Sequence, residues 1–176
     1  RKNVIESLLK QVDVKNLLLE KIVFQSVNDF QDILLLIEHK KIKAWVNFTR
    51  RIMPFYKKIK NYFSTNEKIY FHIDEGNWGL VQSSFHYLDL FHFITKENLL
   101  SVDSSNLDSV IQKSKRDGFI ELTGVLKGKT GNGSEFSIVQ RKGSDAPDVI
   151  QIFSDNTRLI ISEMQKIAIH ATRSTN

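Results

Sequence analysis

Apolar and polar positions alternate at helical spacing along the N-terminal third of the chain. Val4, Ile5, Leu8, Leu9 and Val12 fall on one face of a helix. A second helix is expected from Val14 to about Phe24. A third follows Ser26, which is placed to cap it, with Phe30, Ile33, Leu34 and Ile37 on one face. The period then changes. From Lys68 to Ile73 the pattern is two, with Ile69, Phe71 and Ile73 on one side, which reads as a strand running into the turn composition Asp74-Glu75-Gly76-Asn77. Residues 80–94 fit a helix by length, although their aromatic content also suits a strand. A further helix is expected to start at Asp103 or Ser104 and end before Gly118.

Past Gly118 the chain reads as β. Phe119–Leu126 and Glu135–Arg141 flank a glycine-rich turn, and Val149–Phe153 is another strand. Residues 158–171 fit either a helix or a strand pair. The expected class is therefore α+β: an N-terminal helical layer, a mixed segment, and a C-terminal antiparallel hairpin or sheet. The expected division is residues 1–117, mainly helical, and residues 118–176, β-rich, the two parts being compatible with one shared core.

Composition narrows the chemistry. The 176 residues contain no cysteine, which excludes disulfides, thiolate metal sites and cysteine nucleophiles, and fits a cytoplasmic location. The longest apolar run, Ile33 to Ile37, falls far short of the roughly 20 residues of a membrane span. The opening Arg1-Lys2-Asn3 leads into an amphipathic stretch rather than an extended apolar one, so no secretory signal is expected, and the missing initiator Met points to a fragment or processed product.

Charge changes the picture most. The chain is +5 overall, yet Lys40 to Lys60 holds eight basic residues and no acid, leaving 17 basic against 20 acidic residues elsewhere. On a helical projection the apolar residues of segment 40–63, from Ile42 and Trp45 to Tyr62 and Phe63, occupy an arc from roughly 100° to 300°, with Trp45 central and so expected in the core. Lys40, Lys43, Arg50, Arg51, Lys57 and Lys58 share the opposite side. The expectation is a basic amphipathic helix, kinked or split at Pro54, whose cationic face meets phosphates.

Other motifs carry less. Gly128-Lys129-Thr130 follows Gly124 by one residue too few for a phosphate-binding loop and precedes a strand rather than a helix, though Lys129 is retained as a secondary phosphate contact. His86, Asp89 and His92 have metal-ligating chemistry but no fourth partner in sequence. Trp78, between Gly76-Asn77 and Gly79, is either a lid on the core or an exposed stacking residue. No catalytic set, cofactor or metal site is assigned. The function expected is a non-enzymatic domain that engages nucleic acid through Lys40, Lys43, Arg50, Arg51, Lys57, Lys58 and Lys129. The alternatives are a protein-interaction module and a metal-dependent enzyme with an unrecognised site.

Overall fold

The computed structural model describes residues 1–76, 78–114 and 117–173. It divides into two compact units, Arg1–Thr49 and Arg50–Asn176.

The first unit opens with α1 (Lys2–Gln11), which buries Ile5 and Leu9. Strand β1 (Asn16–Leu19) follows where a helix was expected from Val14 to Phe24. An apolar run as short as Leu17-Leu18-Leu19 suits either state, and here the backbone is claimed by a parallel partner, β2 (Lys43–Val46). The connection is α2 (Val27–His39), capped at Ser26, whose hydroxyl accepts the Asp29 N–H at 3.1 Å. Ile33 and Ile37 of α2 join Ile5, Leu9 and Ile42 in one apolar cluster. The unit is thus a helix set against a β–α–β crossover.

The second unit is a seven-stranded mixed sheet in the order β11-β10-β9-β3-β8-β7-β4. Its central strand β3 (Tyr70–Glu75) pairs in parallel with β8 (Glu135–Gln140) and antiparallel with β9 (Val149–Phe153). Helices α3 (Pro54–Lys60) and α4 (Leu80–Thr95) contribute Tyr56, Ile59, Tyr87, Leu90, Phe91 and Ile94 to a core with Phe71, Ile73, Phe136, Ile138, Ile150 and Ile152. The same core draws on residues either side of position 117. Period-2 alternation sends every second strand residue to this covered face and the intervening ones to an open face. The architecture is α+β, with four helices among the described residues.

The helix expected from Asp103 or Ser104 does not form among the described residues. Residues from Asp103 onward lie in β4 (Leu99–Leu107), followed by a small ribbon of β5 (Gln112–Lys113) and β6 (Ile120–Glu121); residues 115 and 116 of that expected helix, and Asn77 of the expected turn, lie outside the described residues. Asp103 Oδ1 accepts the Ser105 N–H at 2.9 Å, and the register with β7 (Gly124–Thr130) shifts between Asp103 and Asn106. The cap-forming residue closes a local bulge instead of starting a helix. The tail, open between helix and strands, is the strand pair β10 (Thr157–Ser162) and β11 (Ile167–Thr172).

The basic amphipathic helix is not formed either. Lys40 ends α2, Lys41 takes a left-handed φ of 56°, and the chain then runs through β2, a 3-10 turn at Thr49–Ile52 and the seven-residue α3. Pro54 sits at the start of α3 and Met53 before it is extended, as a residue preceding proline must tend to be. The shared cationic face dissolves with the helix, and Trp45, expected in the core, is 53% exposed on β2. No helix among the described residues is long and apolar enough to cross a membrane.

Candidate functional site

The polar residues that come together in this fold lie on the covered face of the sheet, at one end. Glu75 and Gln140 are the last residues of the parallel strands β3 and β8 and are register partners. Both are buried. Glu75 accepts hydrogen bonds from the Tyr87 hydroxyl and from Gln140 Nε2. The Gln140 carbonyl accepts the N–H groups of Trp78 at 3.1 Å and Gly79 at 3.2 Å, while its amide nitrogen reaches Ser83 Oγ at 3.2 Å. A single glutamine therefore pins the turn that launches α4. Gly76 has no alternative in that turn, since a Cβ there would stand 2.3 Å from the Ser144 carbonyl oxygen. The first turn of α4 is closed by Glu121, whose carboxylate accepts the Val81 N–H at 2.5 Å.

Beside this pair lies a second carboxylate. Glu163, in the turn after β10, takes Arg50 in a two-pronged grip, with Nε at 2.9 Å and a terminal nitrogen at 2.5 Å, and accepts the Tyr56 hydroxyl at 2.5 Å. Arg50 also stacks its guanidinium over the Tyr87 ring at 4.5 Å. Asp148 fixes the turn itself by accepting the N–H groups of Glu163 at 2.9 Å and Met164 at 3.0 Å and the Ser162 hydroxyl at 3.2 Å. Tyr87 thus joins two carboxylates, one directly and one through Arg50.

The electrostatics follow from this arrangement. Burial opposes ionisation of Glu163, but the hydrogen bonds and charge of Arg50, helped by the Tyr56 hydroxyl and the charge of His86, outweigh it and hold the carboxyl below its usual range. Burial pushes both tyrosines well up, and the Glu163 charge adds to this at Tyr56. Burial also works against the charged form of Arg50, yet its bonds to Glu163 keep it firmly protonated. The cluster is therefore an ionised pair with two neutral phenols. Half-buried His86 lies at its margin on α4, and Trp78, 57% exposed, stands just ahead of that helix.

The sequence-expected site residues disperse. Lys40 and Lys43 belong to the first unit, at the end of α2 and on β2. Arg50 is bound to Glu163, and Arg51 grips Asp89 through Nε at 2.8 Å and a terminal nitrogen at 2.5 Å. Lys57 and Lys58 are exposed on α3, and Lys129 lies on β7. The His86, Asp89 and His92 trio is also divided: the His86 charge acts on Glu163, Asp89 holds Arg51, and His92 donates from Nδ1 to the Glu97 carbonyl at 2.9 Å.

The sequence brings Glu75 up only as a weak metal-site candidate beside His72 and Asp74, and Asp148 and Glu163 only in a nuclease-like spacing that does not fit; Gln140 it misses, and the grouping of all four it does not foresee, although a signal was present. Each extends an apolar alternation by one step: Ile69, Phe71, Ile73 to Glu75; Phe136, Ile138 to Gln140; Leu159, Ile161 to Glu163; and Ile152, Ile150 back to Asp148. A polar residue in phase with a buried set marks a buried polar site.

No protein-family model matches the sequence, and no curated protein does. Solved structures do share the fold. The UDP-N-acetylglucosamine 3-dehydrogenase GnnA from Acidithiobacillus ferrooxidans superposes with a TM-score of 0.73 at 12% identity, over 99% of this chain and 56% of that one. The Gal80p super-repressor mutant from Saccharomyces cerevisiae gives 0.70 at 15% identity, covering 99% and 59%. The WlbA dehydrogenase from Bordetella pertussis, in complex with NADH and UDP-GlcNAcA, gives 0.66 at 13%, covering 92% and 57%. The chain thus spans less than two thirds of the length of each. This likeness to dehydrogenase-type proteins, with the loss of the basic helix, overturns the expectation of a nucleic-acid-binding domain.

Proposed function

We propose that this chain is the substrate-side part of a dehydrogenase-type protein, and that the polar cluster at the ends of β3 and β8 backs the place where a hydroxylated substrate is held. The observation that carries this reading is the cluster's position. Ligands of open α/β sheets sit outside the carboxyl ends of parallel strands, and Glu75 and Gln140 occupy those ends. The dehydrogenase likeness over 99% of the chain supports it.

His86 is the group suited to take a proton from a substrate hydroxyl. Glu163, with which it interacts electrostatically, is in turn oriented by Arg50 and Tyr56. Trp78 supplies an exposed ring at the rim. A nicotinamide cofactor, which dehydrogenase chemistry implies, does not find its usual cradle here. The first glycine of the sequence is Gly76, so the β1–α2–β2 crossover has no glycine-rich turn to receive a pyrophosphate.

The test is titration of the 176-residue chain with UDP-N-acetylglucosamine, followed by the His86 imidazole resonances. Saturable binding weakened at least tenfold in His86→Ala and Trp78→Ala is expected. Unperturbed His86 resonances at millimolar ligand would sink the proposal.

A second reading, a regulatory domain that meets a protein partner, is favoured by the Gal80p likeness and by Val110, Ile111, Phe119 and Ile120, all exposed around the β5–β6 ribbon. Phe119→Asp with Ile120→Asp should then abolish partner capture while leaving the melting temperature unchanged. With either reading we place the protein in the cytoplasm, the reducing compartment that a cysteine-free chain suits.

A further inference from the structure

The opposite face of the same sheet carries an unassigned cavity of about 580 Å³, within the size range of small-molecule sites. Its floor is a row of cross-strand neighbours. Gln151 of β9 is paired with His72 of β3, His72 with Ser137 of β8, Ser137 with Lys127 of β7, and Lys127 with Asp103 of β4. Gln151, His72 and Ser137 are half-buried. Among the described residues none of these three side chains has a hydrogen-bond partner within the chain. An amide, an imidazole and a hydroxyl side by side can each both donate and accept, which matches the hydroxyl groups of a polyol.

The walls restrict the ligand further. On one side stand Tyr70 and Phe153, stacked with centroids 5.1 Å apart, while Lys68 covers the Tyr70 ring at 4.9 Å and Arg158 the Phe153 ring at 5.2 Å. Their faces are already occupied, so the rings form a rigid wall and offer no platform for a nucleobase. On the other side are Lys127 and Lys129. Of the nearby acids, Asp103 stays ionised, favoured by its bonds to Ser105 and by the Lys127 charge, and Glu135 pairs with Lys68 at 3.8 Å. Neither lysine has a carboxylate within 4.0 Å among the described residues, so both ammonium groups are open to direct pairing with an anion.

We propose that this open-face cavity binds a monosaccharide-sized polyol bearing one anionic group, with Gln151, His72 and Ser137 meeting its hydroxyls and Lys127 and Lys129 its charge. The site is separate from the cluster around Glu163 and stands or falls independently of the function proposed for that cluster. A sugar phosphate and a sugar carboxylate share this chemistry, and the experiment separates them.

The 176-residue chain is titrated calorimetrically with glucose 6-phosphate, glucuronate and inorganic phosphate, and the His72 imidazole resonances are followed in parallel. At least one sugar anion should bind at submillimolar to millimolar concentration, shift His72, and bind at least tenfold more tightly than inorganic phosphate. Lys127→Ala with Lys129→Ala should weaken binding at least tenfold, and Ser137→Val by several-fold; Glu163→Gln should leave it unchanged. The idea is overturned if neither sugar anion shifts His72, if inorganic phosphate binds as tightly, or if the double lysine variant binds normally. It is equally overturned if sedimentation shows a dimer that His72→Arg dissociates, because a second copy would then cover the face.

Discussion

The two faces of the seven-stranded sheet are built from the same strands and treat polar side chains in opposite ways. On the covered face, Glu75, Gln140 and Glu163 are each tied by two or more hydrogen bonds to neighbours that are tied in turn. On the open face, His72, Ser137 and Gln151 are aligned across three strands, and among the described residues their side chains have no hydrogen-bond partner within the chain. Burial explains the contrast. A polar group beneath the helices loses its water and must be satisfied internally, whereas one beside solvent need not be. Fold stability is therefore concentrated on the first face, and side chains are left available on the second.

Truncating an aromatic on each face breaks this comparison most sharply. Phe91, fully buried between Phe71 and Phe136, should lose about 4 kcal/mol as Phe91→Ala. Phe153→Ala, on the open face, should cost about 1 kcal/mol, the scale of a cross-strand pair. Urea unfolding measures both, and similar costs would show that the open face is as tightly packed as the other. Next in size is Arg50→Met. It strands Glu163 beside two phenols and should cost about 2 kcal/mol, less than the 3–5 kcal/mol of a fully buried pair because Glu163 is partly exposed.

A smaller effect tests the sign of the Glu163 charge. Its carboxyl titrates lower in the folded protein than in the unfolded chain. Its stabilisation is therefore complete above the unfolded value and lost as pH falls through the folded one. Between about pH 6 and pH 3 the melting temperature of the native chain should fall more steeply than that of Glu163→Gln. Parallel curves would mean that the carboxylate is not preferentially ionised in the fold. Last, Lys57→Ala with Lys58→Ala should change stability by no more than about 0.5 kcal/mol, since both side chains are exposed and lie outside the network. A larger loss would restore a structural role to the α3 lysines.

How far these features were legible in sequence depends on the range of the forces that set them. The alternation of Ile69, Phe71 and Ile73 and the capping of α2 by Ser26 are local, and both appear in the structure. The α+β class was legible for the same reason. The helix projected through Lys40–Lys60 failed because a periodicity over several turns is only a geometric possibility. The left-handed Lys41, the pairing of β2 with β1 and the extended Met53 each interrupt it. Of the candidate site, Arg50 was singled out for its charge, but its partner Glu163 lies 113 residues away, and nothing local joins them. What local reading could have found is the parity of Glu75, Gln140 and Glu163 with their apolar neighbours.

The placement of β3 at the centre of the sheet carries a consequence for how the chain is made. Its two partners, β8 and β9, come 60 to 80 residues later in sequence. At about 5–20 residues per second of synthesis, Phe71 and Ile73 emerge roughly 4–16 s before both flanking strands exist. During that interval a strand with two free edges and an apolar side is exposed, the kind of segment that recruits other chains. The nascent chain therefore has a window in which a chaperone, or a lower growth temperature, decides its yield more than the stability of the finished fold does.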